Sequence, residues 1–141
     1  MYKNILHATD LLANHFDMCQ QAVNIAKRFG ARLHLLHVIE TPISVQVAQG
    51  LGFTSIDNPL ILQEDAKMVM ALMGESLNIP MEQQLVKIGS IKEHVYEMVK
   101  ELNCDLVIIG HHNGDRLSAY LGNSAQSIIQ DTCCDVLTLI K

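Results

Sequence analysis

Five short apolar runs alternate along the chain with four stretches of helical spacing, and this alternation constrains the fold more than any other feature. The runs are "KNILHAT" (3–9), "RLHLLHVI" (32–39), "EQQLVKIG" (82–89), "DLVIIG" (105–110) and "DVLTLIK" (135–141). The fourth is almost unbroken by polar residues, as expected of a strand covered on both faces. Between the runs, Cys19, Ala22, Val23, Ala26 and Phe29 recur at helical spacing, and Gly30 stands where a helix C-cap glycine belongs. Leu62, Ala66, Val69, Met73 and Leu77 mark the inner face of a second helix, which "NIP" ends. In the third, Ile91, Val95, Met98, Val99 and Leu102 form the buried stripe, and Ser90 with Glu93 has capping-box spacing. Ala125, Ile128, Ile129 and Thr132 suggest the fourth. Residues 40–59, "ETPISVQVAQGLGFTSIDNP", read as a long apolar loop with one short helical turn, lying on the protein or on a partner.

The order β-α-β-α-β-α-β-α-β predicts a single α/β domain over 1–141: a three-layer sandwich with a five-stranded parallel sheet and helices on both faces. Right-handed crossovers leave few topologies. The order 3-2-1-4-5 starts the chain in the middle of the sheet and puts the switch point between strands 1 and 4. Ligands of such sheets bind outside the carboxyl ends of the strands at that crevice. Two loops must line it, "ATDLLANH" after strand 1 and "GHHNGDRLSAYLGNS" after strand 4.

Composition narrows the partners. The net charge is −5 and there is no basic block, which argues against a nucleic-acid backbone as partner. No apolar run approaches the ~18 residues of a membrane span, and "MYKNILHATD" reaches an acidic residue too early for a signal peptide. The expectation is a soluble cytoplasmic protein without a membrane partner. Cys19, Cys104, Cys133 and Cys134 form no C-x-x-C pair, so neither a disulfide scaffold nor a redox motif is read from them. Cys104 reads as a small core residue, and the methionines of the second helix (Met68, Met70, Met73) as fillers of core or interface gaps.

At the crevice, a glycine-rich turn entering a helix can hold phosphate with backbone N–H groups and the helix dipole. Gly110 and Gly114 lie in the second loop, and Gly122 precedes the fourth helix, which Asn123 or Ser124 would cap. Asp10 faces the same space and could accept from ribose hydroxyls, while Val38, at the end of strand 2, could offer backbone groups to an adenine edge. The plainer reading is that the glycines permit turns and Asp10 caps a helix or ends a strand. The loop is not a Walker A motif, since no glycine is followed by Lys-Ser or Lys-Thr. His111 and His112 are adjacent, with no third ligand at useful spacing, so no metal site is assigned. No G-x-S-x-G elbow or other catalytic constellation is present, and no catalytic residue is assigned.

"YKNILHATD", "AKRFGARLHLLHVIE", "DLVIIGHH" and "NSAQSIIQDTCCDVLTL" resemble the universal stress protein family, over the whole chain and most weakly at 41–80. The resemblance implies a flavodoxin-like, adenine-nucleotide alpha hydrolase-like fold, a cytoplasmic homodimer, and a role in stress resistance rather than a defined reaction. Part of the family binds ATP through a loop G-x2-G-x9-G-(S/T) after strand 4; the UspA-like part lacks it. Here Asn113 stands at the second glycine position with Gly114 one place late. Gly122 comes one residue early and is followed by Asn123, then Ser124. A Cβ in place of a glycine hydrogen blocks the close approach a phosphate needs. The "GHH" opening also resembles the UspA-like kind. Carried over residue by residue, the candidate nucleotide contacts are Asp10, Val38, Ile109, Gly110, His112, Gly114, Gly122, Asn123 and Ser124. The altered loop favours a non-catalytic module acting through dimerisation and unidentified protein partners, with the last strand, 135–141, as the pairing edge. The alternative is a binder of ATP or AMP, with Mg²⁺, working as a sensor or slow ATPase.

Overall fold

The computed structural model describes residues 1–11, 15–40, 47, 50–52, 59–111 and 126–140. The described elements are β1 (Asn4–Ala8), α1 (His15–Phe29), β2 (Arg32–Ile39), α2 (Pro59–Leu77), a 3₁₀ turn (Met81–Gln83), β3 (Gln84–Ile88), α3 (Ile91–Glu101), β4 (Leu106–His111), a helical stretch over 126–131, and β5 (Asp135–Ile140). Residues 47 and 50 are also helical. All five strands pair in parallel, in the order β3-β2-β1-β4-β5 predicted above.

Side chains alternate across each strand, and the two faces bury different helices. Ile5, Leu33, Leu35, Leu106 and Ile108 meet Cys19, Ala22 and Ala26 of α1 and Met70, Met73 and Leu77 of α2. Leu6, Leu36, Val107 and Ile109 meet Val95, Met98 and Val99 of α3 and Ile128 of the 126–131 stretch. The sheet is therefore the middle of three layers. Cys104 belongs to the second cluster, as a small core residue should.

The expected helix ends are visible in detail. Gly30 takes φ +63°, and the amides of Gly30 and Ala31 reach back to Lys27 O (3.2 Å) and Ala26 O (2.8 Å). Ser90 caps α3 by accepting from the Glu93 amide at 3.4 Å. The inner face of α2 differs from the expectation. Ala66, Met73 and Leu77 are buried together with Met70, whereas Leu62, Val69 and Met68 are exposed. Ile129 is likewise exposed, while Ile128 is buried. In both helices apolar residues occupy neighbouring positions, so spacing alone does not choose between them. The third run begins as the 3₁₀ turn, and the strand proper starts at Gln84.

Candidate functional site

The crevice is built at the carboxyl edge of the sheet, where β1 and β4 lie side by side. Ile5 through Ala8 pair with Leu106 through Ile109, which sets Asp10, two residues beyond β1, level with the exit of β4 at Gly110–His111. Asp10 is half-buried there. Gly110 pairs with Leu139 of β5 and is buried, and the Ile109 side chain is fully enclosed on the α3 face. Ile109 can therefore meet a ligand only through its backbone.

Val38 lies one residue before the end of β2, with its side chain in the α3-face core. Its backbone points elsewhere. Leu36 O accepts from Thr9 N at 2.8 Å on the β1 side, and Ile39 O accepts from Gly89 N at 3.0 Å on the β3 side. Alternation along a strand turns the N–H and C=O of Val38 to the same side as those of Leu36, past the last residue of β1. The structure thus gathers Asp10, Val38, Ile109 and Gly110 around one edge. His112, Gly114, Gly122, Asn123 and Ser124 lie outside the described residues.

The turn leaving β1 is held by contacts the sequence did not announce. The Thr9 hydroxyl accepts from the Leu11 amide at 3.2 Å, and the His37 Nδ1–H donates to Thr9 O at 2.7 Å. Leu11 itself adopts φ +60°, a left-handed conformation that is uncommon for a leucine, while packing against the α1-face core. Such a conformation costs of order 1–3 kcal/mol and persists only where its surroundings enforce it. Below this turn, burial pushes the Cys19 thiol up to about 11. A hydrogen bond with Thr9 acts in the opposite direction, and the nearby Asp10 charge adds to the rise. A thiol so placed is a poor nucleophile. His7, fully buried, donates from Nδ1–H to Ile108 O at 3.0 Å, so its ring bridges β1 and β4.

Other groups along this edge are also committed to the fold. Glu40, just after β2, accepts from Ile91 N at 2.9 Å, so the N-terminus of α3 is closed by the chain's own carboxylate. The His94 Nε2–H donates to Ile88 O at 2.9 Å. The Glu40–Ile91 contact has no local sequence signature, because the two residues are 51 residues apart. Among the described residues no group of three or more His, Cys, Asp or Glu side chains is arranged to hold a metal ion. A cavity of about 700 Å³ opens at the opposite, amino-terminal edge, between Lys27, Arg32 and Leu77. It holds none of the nine candidate contacts.

The comparisons with known proteins agree with this fold. A family model described as "Universal stress protein family" matches residues 1–139. Universal stress protein A homolog 1 of Coxiella burnetii is 30% identical over 98% of this chain and 96% of its own length. Among solved structures, universal stress protein UspA from Lactobacillus plantarum superposes with a TM-score of 0.66 at 18% identity, covering 98% of this chain and 97% of that one. A universal stress protein solved in complex with cAMP gives a TM-score of 0.65 at 14% identity, covering 99% and 97%. With the family model spanning nearly the whole chain, this protein belongs to the universal stress protein family.

Proposed function

We propose that the protein is a non-catalytic stress-response module of the cytoplasm, working as a homodimer joined along β5 and acting by binding other proteins. The observation that carries this reading is the state of β5. Among the described residues it is an edge strand of the sheet, paired on one side only, to β4. Ile140 is 70% exposed and Leu137, on the other face, 37% exposed. An open edge with apolar residues on both faces favours pairing with another strand. The carboxyl edge supports the non-catalytic half of the reading, because His37, His94, Glu40 and Cys19 are held in structural contacts there. Light scattering tests the dimer. The wild-type chain at micromolar concentration has twice the monomer mass, and a strict monomer would overturn the proposal.

A second reading, of an adenine-nucleotide binder, is favoured by one specific observation. Asp10, the outward-turned backbone of Val38 and Gly110 surround the β1–β4 crevice, and a protein of the same fold is solved with cAMP. In this reading Asp10 accepts from ribose hydroxyls, Val38 meets the adenine edge, and the segment from Gly110 to Ser124 receives the phosphates. Calorimetric titration with ATP and Mg²⁺, and separately with AMP, decides it. Saturable heat that is lost in Gly122→Val supports the reading, and no heat at millimolar nucleotide removes it.

A further inference from the structure

Three of the four cysteines gather at the amino-terminal edge, away from the β1–β4 crevice. Cys104 stands two residues before β4 and is 7% exposed. Cys134 stands immediately before β5 and is half-buried, and its neighbour Cys133 is exposed. Leu106 pairs with Asp135. Cys104 and Cys134 therefore flank the first pair of the β4–β5 ladder at the same end of the two strands. Both side chains face α3: Cys104 is part of the core cluster with Val95, Met98 and Val99, and Cys134 packs against it. The Cys134 sulfur and the Thr132 hydroxyl lie 3.4 Å apart, and the Lys100 ammonium lies 4.1 Å from the Tyr96 ring centroid.

The three positions form a gradient of access. Burial pushes the Cys104 thiol up to about 12 and raises the Cys134 thiol as well, so both are poor first targets for an oxidant. Cys133 is exposed to solvent, with a second thiol in the next residue.

We propose that Cys133, Cys134 and Cys104 form a thiol site oxidised by hydroperoxides, with Cys133 as the entry and a Cys104–Cys134 disulfide between β4 and β5 as the product. The Cys133 thiolate attacks the peroxide, the O–O bond breaks, and the departing oxygen leaves as water or alcohol after taking a proton. Cys133 is then a sulfenic acid. The Cys134 thiolate attacks its sulfur, an S–S bond forms, the S–O bond breaks, and water leaves. The Cys104 thiolate attacks the Cys134 sulfur and releases Cys133 as thiolate. Two thiols have lost two hydrogens and one hydroperoxide has been reduced. A disulfide between adjacent residues is strained and therefore more oxidising than one between facing strands, which sets the direction of the last exchange. The plainer reading, of two packing residues and one inert surface thiol, predicts no link between the strands.

Hydrogen peroxide treatment of the full chain, followed by alkylation of remaining thiols and mass mapping of peptides, tests this. The wild type loses two hydrogens, and its Cys104 and Cys134 peptides are joined. Cys133→Ser forms that link about tenfold more slowly, since the exposed thiolate is the entry. Cys104→Ala, checked for folding by circular dichroism, forms no link. If that variant does not fold, the wild-type map decides alone. Peroxide that consumes Cys133 while leaving Cys104 and Cys134 open to alkylation overturns the proposal, as does oxidation of Cys133→Ser at the wild-type rate.

Discussion

Gly89→Ala probes the turn that aims α3 at the carboxyl edge. Gly89 follows β3 with φ +138°, a conformation L side chains rarely adopt, and its amide donates to Ile39 O at 3.0 Å. A methyl group there acts through two routes. The backbone route costs about 1–3 kcal/mol, because the surrounding hydrogen bonds hold the chain in the disfavoured region. The contact route is smaller. The new Cβ would stand 3.0 Å from His94 Nε2, whose N–H donates to Ile88 O at 2.9 Å. That ring is the end of a flexible side chain and can shift by a few tenths of an ångström. Its most serious consequence is one hydrogen bond, worth about 0.5–1.5 kcal/mol. The backbone term therefore dominates, and the expected total is about 2–4 kcal/mol. Urea unfolding reads it as a lower midpoint at an unchanged slope. Repeating the substitution in a His94→Ala background separates the routes, and most of the loss should survive there. A loss below about 0.5 kcal/mol, or one that vanishes in that background, would refute the reasoning.

Three further outcomes follow from contacts elsewhere. Glu40→Ala, which removes a charged acceptor from Ile91 N at 2.9 Å, should destabilise by about 1.5–3 kcal/mol, and Ser90→Ala, whose cap bond is 3.4 Å, by only about 0.5–1 kcal/mol; equal losses in urea unfolding would contradict that ranking. Burial, with the Arg32 charge second, holds the His34 ring below its ordinary 6.5. The unfolded chain then binds the proton first, so this contribution to stability is complete above 6.5 and is lost as pH falls through the folded value. His34→Gln should flatten the decline in unfolding midpoint on acidification, and an unchanged slope would count against it. Cys19, fully buried with its thiol near 11, should resist iodoacetamide in the native state while exposed Cys133 reacts, as alkylation followed by mass mapping would show.

Much of the fold was legible because the chain punctuates its elements. β2 spans the predicted 32–39, an apolar run stopped by "ETP". α3 was legible for a different reason: Ser90 and the stripe Ile91, Val95, Met98 and Val99 agree on one face. α2 was harder, since Leu60, Ile61, Leu62, Met68, Val69 and Leu72 make it apolar on its outer side as well. Its spacing therefore fits more than one inner face; of the three methionines read as gap fillers, Met70 and Met73 are buried and Met68 is exposed. The place of the candidate site followed from strand order alone, since only one arrangement sets β1 beside β4 with the remaining strands wound outward. Its supports were not legible. The left-handed turn at Leu11, the His37–Thr9 bond and the closure of α3 by Glu40 all join residues through space, with no repeating pattern to betray them.

Amide hydrogen exchange along β5 tests the proposed assembly most directly. Successive residues of an edge strand point their amides alternately toward the paired strand and away from it. In a dimer joined along β5, the amides turned away from β4 are protected at high protein concentration and lose that protection on dilution, and Ile140→Lys removes it at every concentration. If those amides exchange freely at all concentrations while those facing β4 stay protected, β5 is a solvent-facing edge and the proposed dimer is wrong.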